Sequence, residues 1–193
     1  MKVAFTGAGG TGKTTLAKYI AEKWGIPYVG SVSREVMREM GIESEAAQES
    51  MGDHELLALQ QGIYERRKAK LASLDSYVTD RCALDNYIYG LRRCGSALTE
   101  EIRAEWEKGA GADLYAQDLV FHTPIGLFET EDDGVRVTDL SHQHLMDSAM
   151  YGFLCKHAFD RCSAHVYVLN MAALDRRKKF VDSLISEVYS HVR

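Results

Sequence analysis

Short apolar runs alternate along the chain with longer stretches in which apolar residues recur every three or four positions. Runs of the first kind predict buried strands, and stretches of the second kind predict helices with one apolar face. Their alternation predicts βα units and a parallel sheet. Lys2–Thr6 is the first strand, followed by a helix over Lys13–Trp24 that Gly25 closes. Pro27–Gly30 reads as a second strand. Next come a helical region at Arg34–Met40 and a longer helix over about Asp53–Ser73, in which Leu56, Leu59, Gln60, Ile63 and Tyr64 share one face. Tyr77–Thr79 is a third strand ending at Asp80, with a helix after it through Tyr87 and Leu91. Glu100–Lys108 predicts a helix that breaks at Gly109–Gly111 before continuing toward Ala116. Leu119–His122 is a fourth strand, the acidic Glu129–Asp139 a loop, and Leu140–Phe159 a helix. His165–Leu169 is a fifth strand, and a last helix covers about Leu174–Tyr189.

Composition narrows this picture only slightly. A length of 193 residues predicts one domain spanning 1–193, with enough chain to bury a sizeable core. A net charge of −5 supplies no global positive field toward nucleic acid or an anionic membrane. No run approaches the ~20 apolar residues of a membrane span, and the first apolar run is too short for a secretory leader. Cys82, Cys94, Cys155 and Cys162 form no CxxC pair, so they are expected as reduced packing thiols of a cytoplasmic protein.

The stretch after the first strand changes the picture most. In "GAGGTGKTT", Gly7 to Thr15, the residues Gly7, Gly12, Lys13 and Thr14 fit G-x-x-x-x-G-K-[ST] between a predicted strand and a predicted helix. Gly7, Gly9, Gly10 and Gly12 permit backbone angles that a side chain forbids, so the N–H groups around Thr11 can converge on phosphate oxygens. The helix beginning at Lys13 points its positive end at the same oxygens. Lys13 supplies a point charge to the β and γ phosphates, and Thr14, beside Thr15, offers a hydroxyl to Mg²⁺. The sequence therefore predicts binding of a nucleoside triphosphate, ATP, with Mg²⁺.

Two further strand ends carry Arg–carboxylate pairs. Asp80-Arg81 follows the third strand, where a carboxylate faces the ligand crevice of an open α/β sheet. Asp80 there can hold Mg²⁺ or accept a proton from an attacking hydroxyl, and otherwise serves as a helix N-cap. Arg81 suits an anionic acceptor or the transferring phosphate. Asp85 lies one helical turn further on and is positioned to share that task as a substrate-binding residue. Ser33-Arg34-Glu35 follows the second strand, and two readings stand open: Arg34 and Glu35 bind the acceptor, or Ser33 caps a helix with Glu35 in its first turn. Gln60 either lines an acceptor pocket with Gln61 and Tyr64 or packs one helix on another. His122 reads as a hydrogen-bonded core histidine, while His142 and His144 lack the spacing of a helical metal pair.

Together, Gly7–Thr15, Ser33-Arg34-Glu35 and Thr79-Asp80-Arg81 resemble the P-loop nucleoside and nucleotide kinases, the thymidylate kinase and adenylate kinase group. Arg34-Glu35, Asp80-Arg81-x-x-x-Asp85 and a terminal helix bearing Arg176 are most similar to ribosylnicotinamide kinase domains and bacteriophage deoxynucleoside monophosphate kinases. This resemblance implies a three-layer α/β/α sandwich around a five-stranded parallel sheet in the order 2-3-1-4-5. It also implies a lid at about 129–139, with Arg136 as its arginine, and an adenine pocket near the loop after the fifth strand. Arg136 either closes on the phosphates or pairs with Asp132 or Asp133 at the surface, and Arg176, in the basic run 176–179, either stacks on adenine or belongs to a solvated face. The implied reaction is in-line transfer of the γ-phosphoryl group to a nucleoside or nucleoside monophosphate, in the cytoplasm of a bacterium or a phage-infected host. Unlike the lids of thymidylate and adenylate kinases, which often carry several arginines, Glu129–Asp139 has one, and no Pro-Gly follows Arg34-Glu35. Two other readings stay open: a phage-type kinase acting on a hydroxymethylated base in DNA, less favoured by the negative charge, and a regulatory nucleotide-binding ATPase. A homodimer is compatible with the sequence, whereas the length argues against an AAA-type ring motor with a separate helical domain.

Overall fold

The computed structural model of the protein describes residues 1–30, 32–44, 46–128, 139–159 and 166–191. These residues form five strands and seven α-helices: β1 (Lys2–Thr6), α1 (Lys13–Trp24), β2 (Tyr28–Val29), α2 (Val32–Glu39), α3 (Asp53–Ala72), β3 (Tyr77–Thr79), α4 (Ala83–Arg93), α5 (Glu100–Tyr115), β4 (Leu119–His122), α6 (Leu140–Leu154), β5 (Val166–Val168) and α7 (Leu174–His191). Every strand pairing is parallel, and the order across the sheet is β2-β3-β1-β4-β5, the order expected.

The alternation of side chains along the central strands builds two separate cores. Val3 and Phe5 of β1, with Leu119 and Phe121 of β4, face α1 and α7 and pack on Leu16, Ile20, Val181 and Ile185. Ala4 and Val120 point the other way, toward α4, α5 and α6, and meet Leu84, Leu114, Met150 and Leu154. Helices thus cover both faces, as a parallel sheet requires. The centre of the sheet is also its switch point. β1 lies between β3 and β4, so the connections leaving β1 and β3 diverge and open a crevice at the strands' carboxyl ends. Thr6, Asp80 and Thr123 mark that edge.

Two expectations need correction. α5 runs unbroken through Gly109 and Gly111. A Cβ at Gly109 would stand 2.9 Å from the Tyr64 hydroxyl of α3, so the glycine there permits a close helix contact rather than ending the helix. The helix over Leu140–Phe159 is α-helical only to Leu154, and its last turn, Cys155–Phe159, widens into a π-helix. Cys82, Cys94 and Cys155 are free thiols; Cys162 and His165 lie outside the described residues. Among those residues no helix is long and apolar enough to cross a membrane.

Candidate nucleotide site

The loop from Gly7 to Gly12 wraps over the start of α1. Gly7, Gly10 and Gly12 adopt φ of +140°, +75° and +80°, whereas Gly9 does not take a positive φ. Gly7 is also sterically fixed, since a Cβ there would come within 2.4 Å of the Thr123 carbonyl oxygen. Gly12 caps α1 without a side-chain hydrogen bond, and the first turn holds no acidic residue. The helix start therefore presents main-chain N–H groups and the positive end of its dipole, the arrangement an anion requires. Thr11 ties the loop to β4: its hydroxyl donates to Ala8 O at 3.1 Å and shares a 2.7 Å hydrogen bond with the Thr123 hydroxyl. Lys13 is buried, with its ammonium donating to Ala8 O and, at 3.1 Å, to Thr11 Oγ1.

Asp80 is not the helix cap. α4 begins after Cys82, whose main-chain N–H donates to Asp85 Oδ2 at 2.9 Å. Asp80 instead accepts the Thr14 hydroxyl on Oδ2 at 2.6 Å and the Tyr28 hydroxyl on the same oxygen at 2.7 Å. Burial, and then the neighbouring Asp80 carboxylate, push the Tyr28 phenol well above its ordinary value, so it is a donor throughout the neutral range. Thr14 and Asp80 are hard oxygen groups from α1 and the end of β3. That donor set fits Mg²⁺, which takes one or two protein oxygens and fills its other positions with water and phosphate. The described residues contain no cluster of three or more His, Cys, Asp or Glu that would hold a metal by protein ligands alone.

Arg81 joins this loop to α4. One guanidinium nitrogen donates to Gly7 O at 3.0 Å and to Asp85 Oδ1 at 2.8 Å, and the group lies 5.4 Å over the Tyr89 ring. Burial alone would push the Asp85 carboxyl up, but Arg81 and Lys13 more than offset it and hold it below the ordinary carboxylate range. A depressed carboxyl stabilises the fold above its unfolded value near pH 4, and that contribution disappears as the pH falls through the folded value. The stability gap between wild type and Asp85→Asn should therefore close below about pH 4 in an acid unfolding series.

A cleft of about 1020 Å³ spreads from the loop across the ends of β2 and β3. Lys13, Thr14, Thr15, Asp80 and Arg81 line it, as do Arg34 and Glu35. Glu35 is tied to Lys70 of α3 by contacts of 2.5 and 2.8 Å, and Arg34 is exposed. A second, narrower cavity of about 70 Å³ shares Ser33, Met37 and Arg81 with the main cleft. Gln60 lines it and is 3% exposed. Asn86 Nδ2 donates to the Gln60 main-chain oxygen at 2.9 Å, and Gln48 accepts from Arg93 at the cavity's edge. Asp85 is committed to Arg81 and the start of α4.

One arginine of α7, Arg177, reaches the loop. Arg177 is buried, donates to Thr11 O at 3.2 Å, and lies 4.6 Å over the Phe128 ring; Arg176 is exposed and does not line the cleft. Sequence reasoning missed Arg177, although it stands on the stripe Leu174, Val181, Ile185, Val188 that packs on the sheet. Tyr28, Lys70 and Phe128 were also missed, and no local signal marks them. Arg136 and the stretch 129–138 lie outside the described residues. His122 is buried with Nε2 3.3 Å from Asp147; burial pulls its imidazole below the ordinary value against the pull of Asp147.

A family model described as an AAA domain matches residues 2–177. No protein among the curated ones matches the chain. Solved structures resemble it more widely. Deoxyadenosine kinase from M. mycoides, with dCMP and a flexible dCDP bound, superposes with a TM-score of 0.70 at 15% identity, over 97% of this chain and 100% of that one. NadR in complex with NR superposes at 0.73 and 18% identity over 96% of this chain, which spans half the length of NadR. Thymidylate kinase from Ehrlichia chaffeensis gives 0.57 and 16%, over 96% and 98% of the two chains. At such identities the shared feature is the P-loop kinase fold.

Proposed function

Since the chain belongs to the AAA domain family and has the P-loop kinase fold, we propose that it transfers the γ-phosphoryl group of ATP to a nucleoside or nucleoside monophosphate. One observation carries this reading: Arg81 lines both the phosphate cleft and a second cavity that the amide residues Gln48, Gln60 and Asn86 also line. A nucleotide switch needs the first compartment and has no use for the second. The similar structures, with dCMP, dCDP and NR bound, support a small acceptor over DNA.

The loop amides of residues 7–12 and the start of α1 hold the triphosphate, and Lys13 neutralises its β and γ groups. Thr14 and Asp80 are the residues that would hold Mg²⁺, which supplies further charge neutralisation on the phosphates. Arg81, held by Asp85, points its charge at the group in transfer. Arg177 flanks the loop on the α7 side. Arg34 and Glu35 border the acceptor, whose ring edge enters the narrow cavity against Gln60. The chain acts as one catalytic domain over 1–193 in the cytoplasm.

The test is incubation with γ-labelled ATP and Mg²⁺ against nucleosides, nucleoside monophosphates and hydroxymethylated DNA. Label on a small acceptor supports the reading. Label on DNA would transfer the activity to a polymer kinase, and phosphate release with no labelled acceptor would make the protein an ATPase. With the acceptor in hand, Gln60→Leu should raise its KM about tenfold, the loss of one buried hydrogen bond, while the KM for ATP stays unchanged.

A further inference from the structure

Tyr28 stands on β2, the edge strand of the sheet, and reaches across to the end of β3. Its hydroxyl donates to Asp80 Oδ2 at 2.7 Å, the oxygen that Thr14 of α1 also occupies at 2.6 Å. One donor leaves a carboxylate free to turn about its last torsion. Two donors from different elements on one oxygen fix that torsion and engage both lone pairs of Oδ2. Oδ1 is then the oxygen left for a hydrated metal. The position of the ring is reserved by a missing side chain, because a Cβ at Gly30 would lie 2.5 Å from the Tyr28 hydroxyl and ring edge.

We propose that Tyr28 is a positioning residue for Asp80, holding its carboxylate in the orientation in which it meets the Mg²⁺ of the bound nucleotide. The inference rests on the nucleotide reading above. It assigns Asp80 to the metal side of the reaction, since the oxygen that accepts the Tyr28 hydroxyl also accepts the hydroxyl of Thr14, the other residue that would hold the metal. Partners that orient a metal ligand typically contribute 10–100-fold in metal affinity. Removing the Tyr28 hydroxyl therefore weakens the metal-dependent part of nucleotide binding and leaves the metal-free part intact.

Calorimetry on the full chain with a non-hydrolysable ATP analogue, with and without Mg²⁺, tests this without turnover. In Tyr28→Phe the gain in affinity that Mg²⁺ confers should shrink about tenfold or more, with metal-free affinity unchanged. Gly30→Ala, which displaces the ring while keeping the hydroxyl, should act in the same direction and supplies the readout if Tyr28→Phe does not fold. A Mg²⁺-dependent gain equal to wild type overturns the proposal. Equal losses with and without metal also overturn it, because they would mark a merely structural role. A wild type that binds no analogue at all would instead remove the nucleotide reading on which the proposal rests.

Discussion

Lys13→Met should lower kcat for phosphoryl transfer by about 10²–10³-fold, the usual cost of deleting one group aimed at charge that develops in the transition state. The ammonium of Lys13 is not a mobile surface charge. It is buried, folded back over the loop onto Ala8 O and Thr11 Oγ1, and close enough to Asp85 to depress that carboxyl. Phosphoryl transfer asks little covalent chemistry of a protein, so a preorganised charge of this kind carries most of what the protein can contribute. Methionine keeps the length and volume of the stem, so the loop loses a charge and two hydrogen bonds but not its packing. Steady-state kinetics with the acceptor identified by the label-transfer assay reads the effect, and a melting curve separates it from unfolding. Activity within a few-fold of wild type would detach Lys13 from the chemistry.

What the sequence disclosed follows from how local each signal is. The glycine loop, its lysine and the strand before it lie within a dozen residues, so their spacing alone announces a phosphate site. The sheet order came with the resemblance, and the strands came from apolar runs that burial on both faces demands. Gly109 and Gly111 read as a break because glycine is a poor helix former in isolation, while in α5 Gly109 serves a contact with Tyr64 that is distant in sequence. Arg176 and Arg177 differ by one position, which on a helix is a rotation of about 100°. Counting back by fours from Ile185 and Val181 reaches Arg177, so its place on the buried face is legible in the sequence. Tyr28 and Lys70 were not legible by any count. Each gains its role from a partner on another element, Asp80 and Glu35, and only the folded chain brings them together.

Arg67 presents the same lesson on the stability side, and replacing it with methionine should destabilise the protein by about 3–5 kcal/mol. For a domain of this size, that lowers Tm by roughly 10 °C. In the sequence Arg67 is one of several charges along the outer part of α3; in the fold it is buried between α3 and α5. Its terminal nitrogen donates to both oxygens of Asp113, at 2.8 and 3.0 Å, and its Nε donates to Arg81 O at 3.3 Å. Burial alone would pull the guanidinium down, but Asp113 outweighs it and holds the group above its ordinary value. The Asp113 carboxylate in turn accepts the Ala83 N–H at 2.8 Å. The pair therefore clamps the backbone on both sides of Cys82, the segment that aims Arg81 at the phosphate loop. Removing one partner strands a largely buried carboxylate, which is why the cost exceeds the net worth of the pair. Replacing both, as Arg67→Met with Asp113→Leu, should recover much of the stability because no charge is left unpaired. It should not recover activity, since Ala83 N–H would lose its carboxylate and Arg81 O would keep only the Thr79 hydroxyl. Denaturant unfolding and transfer assays on the two variants separate these effects; full recovery of both in the double variant would reduce the clamp to an ordinary buried pair.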